Sequence, residues 1–166
     1  RTSGVLPVLK HFPGHGHASA DTHEAPALVP PLEQLRTSDL EPYATLLADR
    51  PVGVMVGHLD VSGLTADGVP ASLSPAAIGL LRGGYEFEGL VVTDDLSAMQ
   101  AVLVRFNVAE AAERALAAGA DVLLLTQPTE LTAVIDRLAD AVEQDRIPER
   151  RVDAALGRVL TAGGCD

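Results

Sequence analysis

Lysine is almost missing from this chain: Lys10 is the only one, and every other base is arginine. The 12 basic side chains face 23 acidic ones, a formal charge of −11. A surface that tracks nucleic-acid phosphates needs clustered Lys and Arg, so nucleic-acid binding is excluded as a main role. Cysteine is equally scarce. Cys165 stands alone near the C-terminus, and one thiol can build neither an internal disulfide nor a cysteine-rich metal site. No run approaches the roughly 18 apolar residues of a membrane span, and the opening Arg1-Thr2-Ser3-Gly4 is followed by too short an apolar stretch for a signal core. The compartment stays open.

What is present is a globular composition, 47% hydrophobic over 166 residues, the size of one ordinary domain. Four short apolar runs recur, at 5–9, 52–56, 90–93 and 121–125. They lack polar alternation, as strands buried on both faces do. Helical punctuation lies between them. Ser38 with Glu41 has the capping-box spacing before a stripe of Leu40, Ala44, Leu47 and Ala48. Ser74-Pro75 reads as an N-cap with proline at the first helical position, stopping at Gly83-Gly84. Asn107 with Glu110 opens a helix that Gly119 closes. Two more helices are expected over 129–144 and 148–161.

The order β-α-β-α-β-α-β-α-α specifies right-handed parallel units, in a doubly wound sheet or a (β/α) barrel. Polar residues decide between them. The runs end in Lys10-His11, His58, Asp94-Asp95 and Thr126-Gln127, the pattern of a barrel's reactive rim. A doubly wound nucleotide fold would need a Gly-rich turn entering a helix after its first strand, which Gly14 and Gly16 do not supply. The fold class expected is therefore a parallel (β/α) TIM-type barrel. A whole barrel needs about 250 residues, so the chain, residues 1–166 as a single segment, is expected to be one half of it, with four βα units.

Four of the five histidines fall between residues 11 and 23, on a long loop after the first run. Asp21-x-His23 is the pair with a mechanism: in an extended segment both side chains project to one side, and the carboxylate raises the imidazole pKa. Such a dyad can give a proton and take one back. Asp94 stands where a buried strand meets the rim, an expensive place for an unpartnered acid. Its neighbour Asp95 must point elsewhere, and the sequence does not say which of the two faces the cavity. His58 sits on the same rim, as a ligand contact or as packing.

Lys10-His11-Phe12-Pro13-Gly14-His15-Gly16, Asp21-Thr22-His23, the segments 54–59 and 70–74, Gly89-Leu90-Val91-Val92-Thr93-Asp94-Asp95-Leu96-Ser97 and the Ala-Gly-Ala-Asp at 118–121 resemble, in order, the β-N-acetylhexosaminidases of glycoside hydrolase family 3. The resemblance implies a (β/α)8-type barrel that removes terminal β-linked N-acetylglucosamine with retention, often from cell-wall muropeptides, and needs no cofactor. It implies that Asp94 is the nucleophile and His23 the acid/base, assisted by Asp21 on a mobile loop. Lys10 and His11 would hold the sugar next to the cleaved bond, with His58 among the substrate contacts. An imidazole in place of a second carboxylate would repel an anionic acceptor less, so phosphorolysis is a variant of the same chemistry. The pattern departs at Ala98, which separates Ser97 from Met99, and no contact is assigned to Met99. Family members also carry an acid and an arginine on upstream strands, so the resemblance implies that residues 1–166 are the second, C-terminal half of the barrel, without its N-terminal half. The chain is thus expected to be a fragment, or to pair with another copy or with the other half of the barrel, and to be poorly active alone.

Two other readings use the same residues. His15 and His17, with Asp21, His23 and Asp94, offer ligands for the zinc of a metal-dependent hydrolase. Alternatively the chain is a non-catalytic assembly fragment that uses its open sheet edges.

Overall fold

The computed structural model describes residues 4–48 and 51–164. Cys165 lies outside them. The elements follow the expected alternation. Strand β1 (Val8–Phe12) leads through the histidine loop to β2 (Ala27–Val29), then α1 (Leu32–Leu35) and α2 (Glu41–Leu46). Next come β3 (Gly53–Val56), β4 (Leu59–Val61) and α3 (Pro75–Gly79), which runs on as a wider turn through Leu80–Gly84. Strand β5 (Val91–Thr93), α4 (Gln100–Leu103), α5 (Val108–Ala118), α6 (Leu131–Glu143) and α7 (Glu149–Gly163) complete the order.

Strands β1, β3 and β5 pair in parallel in that order, and the fourth run joins as a bridge between Val92 and Val122. Consecutive parallel strands with helices between them form one arc of a barrel-type α/β fold. The fourth run is not a ladder over 121–125 as expected. Its backbone is tied to β5 by Thr93 N–H to the Val122 carbonyl at 3.0 Å and Asp121 N–H to the Val91 carbonyl at 2.8 Å. Among the described residues no strand lies on its other side, nor beyond β1, so the arc has two open edges. The first strand begins three residues later than the apolar run at 5–9. Val8 is the first residue in register with β3, opposite Gly53. A second small parallel pair, β2 with β4, was not visible in the sequence because each strand has only three residues.

Helix ends follow local chemistry. Ser74 accepts from Ala77 N–H at 3.3 Å and Asn107 from Glu110 N–H at 2.9 Å. Gly119 closes α5 at φ +120°, a left-handed conformation that glycine adopts without cost. The Ser38 capping box does not form. The Ser38 hydroxyl donates instead to the Gln34 carbonyl and to Asp39, and Leu40 takes the N-cap of α2. Tyr43 rather than Ala44 turns inward from α2 and packs edge-on against Phe12 at 5.2 Å. Phe12, Val54, Val56, Leu59, Val91 and Leu96 are buried together under α3 and α5.

At the N-terminal ends of the strands the fold is held by charge. Asp121 is fully buried and accepts from Arg82 at 2.6 Å, Arg151 at 2.9 Å, Arg158 at 3.4 Å and the Val91 N–H at 3.0 Å. These contacts join the turn after α3, the start of the fourth run and α7. Replacing Asp121 by Ala leaves three guanidinium groups without their common partner. The expected loss is about 3–5 kcal/mol, read by denaturant unfolding of the purified variant. No helix among the described residues is long and apolar enough to cross a membrane.

Candidate active site

The candidate groups gather at the C-terminal ends of the parallel strands, where barrel sites are built. Asp94 follows β5, its N–H donating to the Val56 carbonyl at 3.0 Å. One carboxylate oxygen accepts the Asp95 N–H at 3.0 Å, and the other lies 3.6 Å from His11 Nε2, in electrostatic reach but longer than a hydrogen bond. Burial lowers the His11 pKa against the pull of Asp94, and Lys10, His15 and His23 add to the lowering.

The ambiguity between Asp94 and Asp95 is resolved by contacts. Asp95 is buried and accepts from Ser97 N–H at 2.8 Å, the Ser97 hydroxyl at 2.7 Å and the Thr126 hydroxyl. Burial opposes its charge, but these hydrogen bonds outweigh it and hold its carboxyl below the usual range. Asp95 therefore ties β5 to the fourth run, and Asp94 is the acid left toward the rim.

Asp21 and His23 do pair, by a different route from the one expected. Residues 22–24 are a turn, not an extended segment. Asp21 Oδ1 accepts the His23 N–H at 2.9 Å and the His23 ring Nδ1 at 2.8 Å, a turn closed by its own aspartate. A carboxylate only accepts, so Nδ1 carries the proton and Nε2 faces away as the free basic position. The hydrogen bond that His23 donates to Asp21 raises the His23 pKa, and the fields of Asp94 and Asp95 add to it. The backbone and side-chain bonds from His23 lower that of Asp21. Asp21→Asn is expected to shift the His23 titration to lower pH, so that its acid form is lost earlier as pH rises. An imidazole NMR titration of the two proteins checks this.

Backbone hydrogen bonds seat the loop that carries the dyad. Gln100 N–H donates to the His23 carbonyl at 3.3 Å and Ala101 N–H to that of Thr22 at 3.1 Å, fastening it to α4. Ser19 N–H donates to the Leu28 carbonyl at 2.8 Å. The glycines serve close approach: at Gly14, φ +146°, a Cβ would fall 2.2 Å from Asp39 Cβ. His17 Nδ1 binds Asp39 Oδ2 at 3.0 Å, while His15 Nε2 meets the Thr22 hydroxyl at 3.3 Å. The two histidines proposed for zinc thus turn to different partners. Among the described residues no three His, Cys, Asp or Glu side chains gather as a metal set.

His58 is 1% exposed. Its Nε2 lies 2.9 Å from the Asp95 carbonyl, which only accepts, so Nε2 is the protonated nitrogen. Burial lowers its pKa, so the ring is neutral and Nδ1 accepts the Ser72 hydroxyl at 2.7 Å. With both nitrogens engaged, His58 supports the Asp94-Asp95 turn from beneath instead of lining the rim. Met99, also buried, leads into α4, and Ala98 faces solvent. A cavity of about 390 Å³ opens beside Lys10, His11, His15 and Tyr43. A larger one, about 670 Å³, lies at the opposite strand ends against Leu6, Val52, Leu90 and Arg158, away from every candidate group.

Comparison with known proteins matches residues 1–162 to the glycosyl hydrolase family 3 N terminal domain. The beta-hexosaminidase LpqI of Mycobacterium tuberculosis is 51% identical over 169 residues, covering 99% of this chain and 43% of that protein. A glycosyl hydrolase of the GH3 family from Mycobacterium smegmatis superposes with a TM-score of 0.93 at 53% identity, over 97% of this chain and 51% of that one. A family 3 beta-N-acetylglucosaminidase from Paenibacillus gives 0.93 at 37% identity, over 99% of this chain and 32% of its own. The chain spans about half the length of the relatives, or less.

Proposed function

The chain belongs to glycosyl hydrolase family 3, and on that premise we propose that it supplies the catalytic half-barrel of a retaining β-N-acetylglucosaminidase acting on terminal β-linked N-acetylglucosamine of a glycan or muropeptide. Family 3 relatives that carry the names beta-hexosaminidase and beta-N-acetylglucosaminidase support the substrate class. The observation that carries the mechanism is the division of labour at the rim: a carboxylate, Asp94, free of the contacts that occupy Asp95, and an imidazole, His23, with one nitrogen held by Asp21 and the other free.

In the proposed cycle the Asp94 carboxylate attacks the anomeric carbon as the glycosidic bond breaks, forming a glycosyl ester. The His23 Nε2 proton passes to the departing oxygen. His23 then takes a proton from water as the water displaces Asp94, restoring both groups. Retaining glycosidases ordinarily pair two carboxyl groups for these tasks; here an imidazole and its carboxylate take the place of the second. In this reading Lys10 and His11, on β1, hold the sugar, and the strands that complete the barrel supply the remaining grip.

The test is mass spectrometry after exposure to a fluorinated N-acetylglucosaminide inactivator, which traps the glycosyl-enzyme. An adduct on Asp94 is expected. An adduct on another residue, or turnover with inversion, would overturn the mechanism. A chain that stays unlabelled and dimerises cleanly would favour the assembly fragment.

A further inference from the structure

The aspartate-closed turn fixes Asp21 and His23 relative to each other but not relative to Asp94. Both side chains are open to solvent, 59% and 71% exposed, so the pair cannot be located by its own packing. Between them sits Thr22, at 2% exposed. A buried threonine between two exposed reactive residues needs a partner for its hydroxyl, and that partner is His15 Nε2 at 3.3 Å. The Thr22 carbonyl accepts from Ala101 N–H at 3.1 Å, so the residue is fixed through both backbone and side chain.

His15 is itself fixed. Its ring stands 5.6 Å from that of His11, the residue beside Asp94. Gly14 and Gly16 close tightly around Asp39 on either side of it, and His17 completes the seat by binding Asp39 Oδ2. A path of contacts therefore runs from the end of β1, through His15 and Thr22, to the turn that presents His23.

We infer that Thr22 is a positioning residue: its buried hydroxyl, bonded to His15, sets where the Asp21–His23 pair stands over the Asp94 end of the sheet. The inference rests on the hydrolase reading only for the purpose of that placement. Thr22→Val removes the hydroxyl and keeps the shape, whereas Thr22→Ser keeps the hydroxyl.

The experiment compares the two variants with the parent chain by NMR. In Thr22→Val the amides of Gln100 and Ala101, which bind the loop, are expected to exchange about tenfold faster, the order of one lost buried hydrogen bond, while those of β3 and β5 keep their protection. His11 faces Asp94, Lys10, His15 and His23. Released from His23, its imidazole is expected to titrate at higher pH. Thr22→Ser should restore both readings. Parent-like exchange and titration in Thr22→Val, an equal loss in Thr22→Ser, or acceleration spread through β3 and β5 would each overturn the inference. None of these readings needs turnover. An unlabelled Asp94 therefore speaks against the hydrolase reading alone.

Discussion

Asp94→Asn is expected to abolish trapping of a glycosyl-enzyme and to lower turnover by about 10⁴-fold or more, the scale at which loss of a nucleophile acts in other enzymes. The amide oxygen can still accept the Asp95 N–H that Asp94 Oδ1 accepts at 3.0 Å, so the β5 end keeps its shape. What disappears is the charge that attacks the anomeric carbon. Asp95→Asn supplies the opposite result. Its carboxylate binds Ser97 and Thr126 and joins β5 to the fourth run. An amide there can present only one oxygen to donors that now meet two. Asp95→Asn should lower the melting temperature yet still label at Asp94. If Asp95→Asn abolishes labelling in a folded protein while Asp94→Asn does not, the assignment of the two acids is reversed.

That assignment marks the boundary of what the sequence could carry. Signals made by neighbours in the chain were legible. Ser74, Asn107 and Gly119 act within four residues of themselves, and each stands where its chemistry predicted. The apolar runs read correctly as parallel segments because burial on both faces removes the polar alternation. The run at 121–125 read as a full strand, but among the described residues it meets β5 only through the single bridge between Val92 and Val122.

Asp21 and His23 were found for a partly mistaken reason. Their pairing follows from the readiness of aspartate to bind an amide two residues on, not from strand geometry. Contacts across long separations were not legible at all. Asp121 meets Arg82, Arg151 and Arg158 from 30 to 39 positions away, and His17 meets Asp39 from 22. No local pattern announces such pairs. For the same reason the sequence left His58 as either a ligand contact or packing, and its partners Ser72 and Asp95, 14 and 37 positions away, engage both nitrogens.

His23→Ala should separate substrates by their leaving groups. A departing sugar or peptide-linked sugar oxygen is strongly basic and cannot leave without a proton, so its cleavage is expected to fall by about 10²–10⁴-fold. An activated aryl glycoside departs as a stable phenolate and needs no donor, so its first step should be nearly unchanged. The second step then becomes limiting, because water has lost its base. The Asp94 ester is expected to accumulate, giving a burst of phenol followed by slow release. An anionic nucleophile such as azide requires no base and should restore the second step, yielding the glycosyl azide with retained configuration. Asp21→Asn should show a milder form of the same pattern, since His23 keeps its ring but loses the carboxylate that holds Nδ1 protonated and raises its pKa. A uniform loss across basic and activated leaving groups, with no burst and no rescue by azide, would place His23 outside proton transfer. The free Nε2 would then serve binding, and the acid/base would have to be sought elsewhere on the rim.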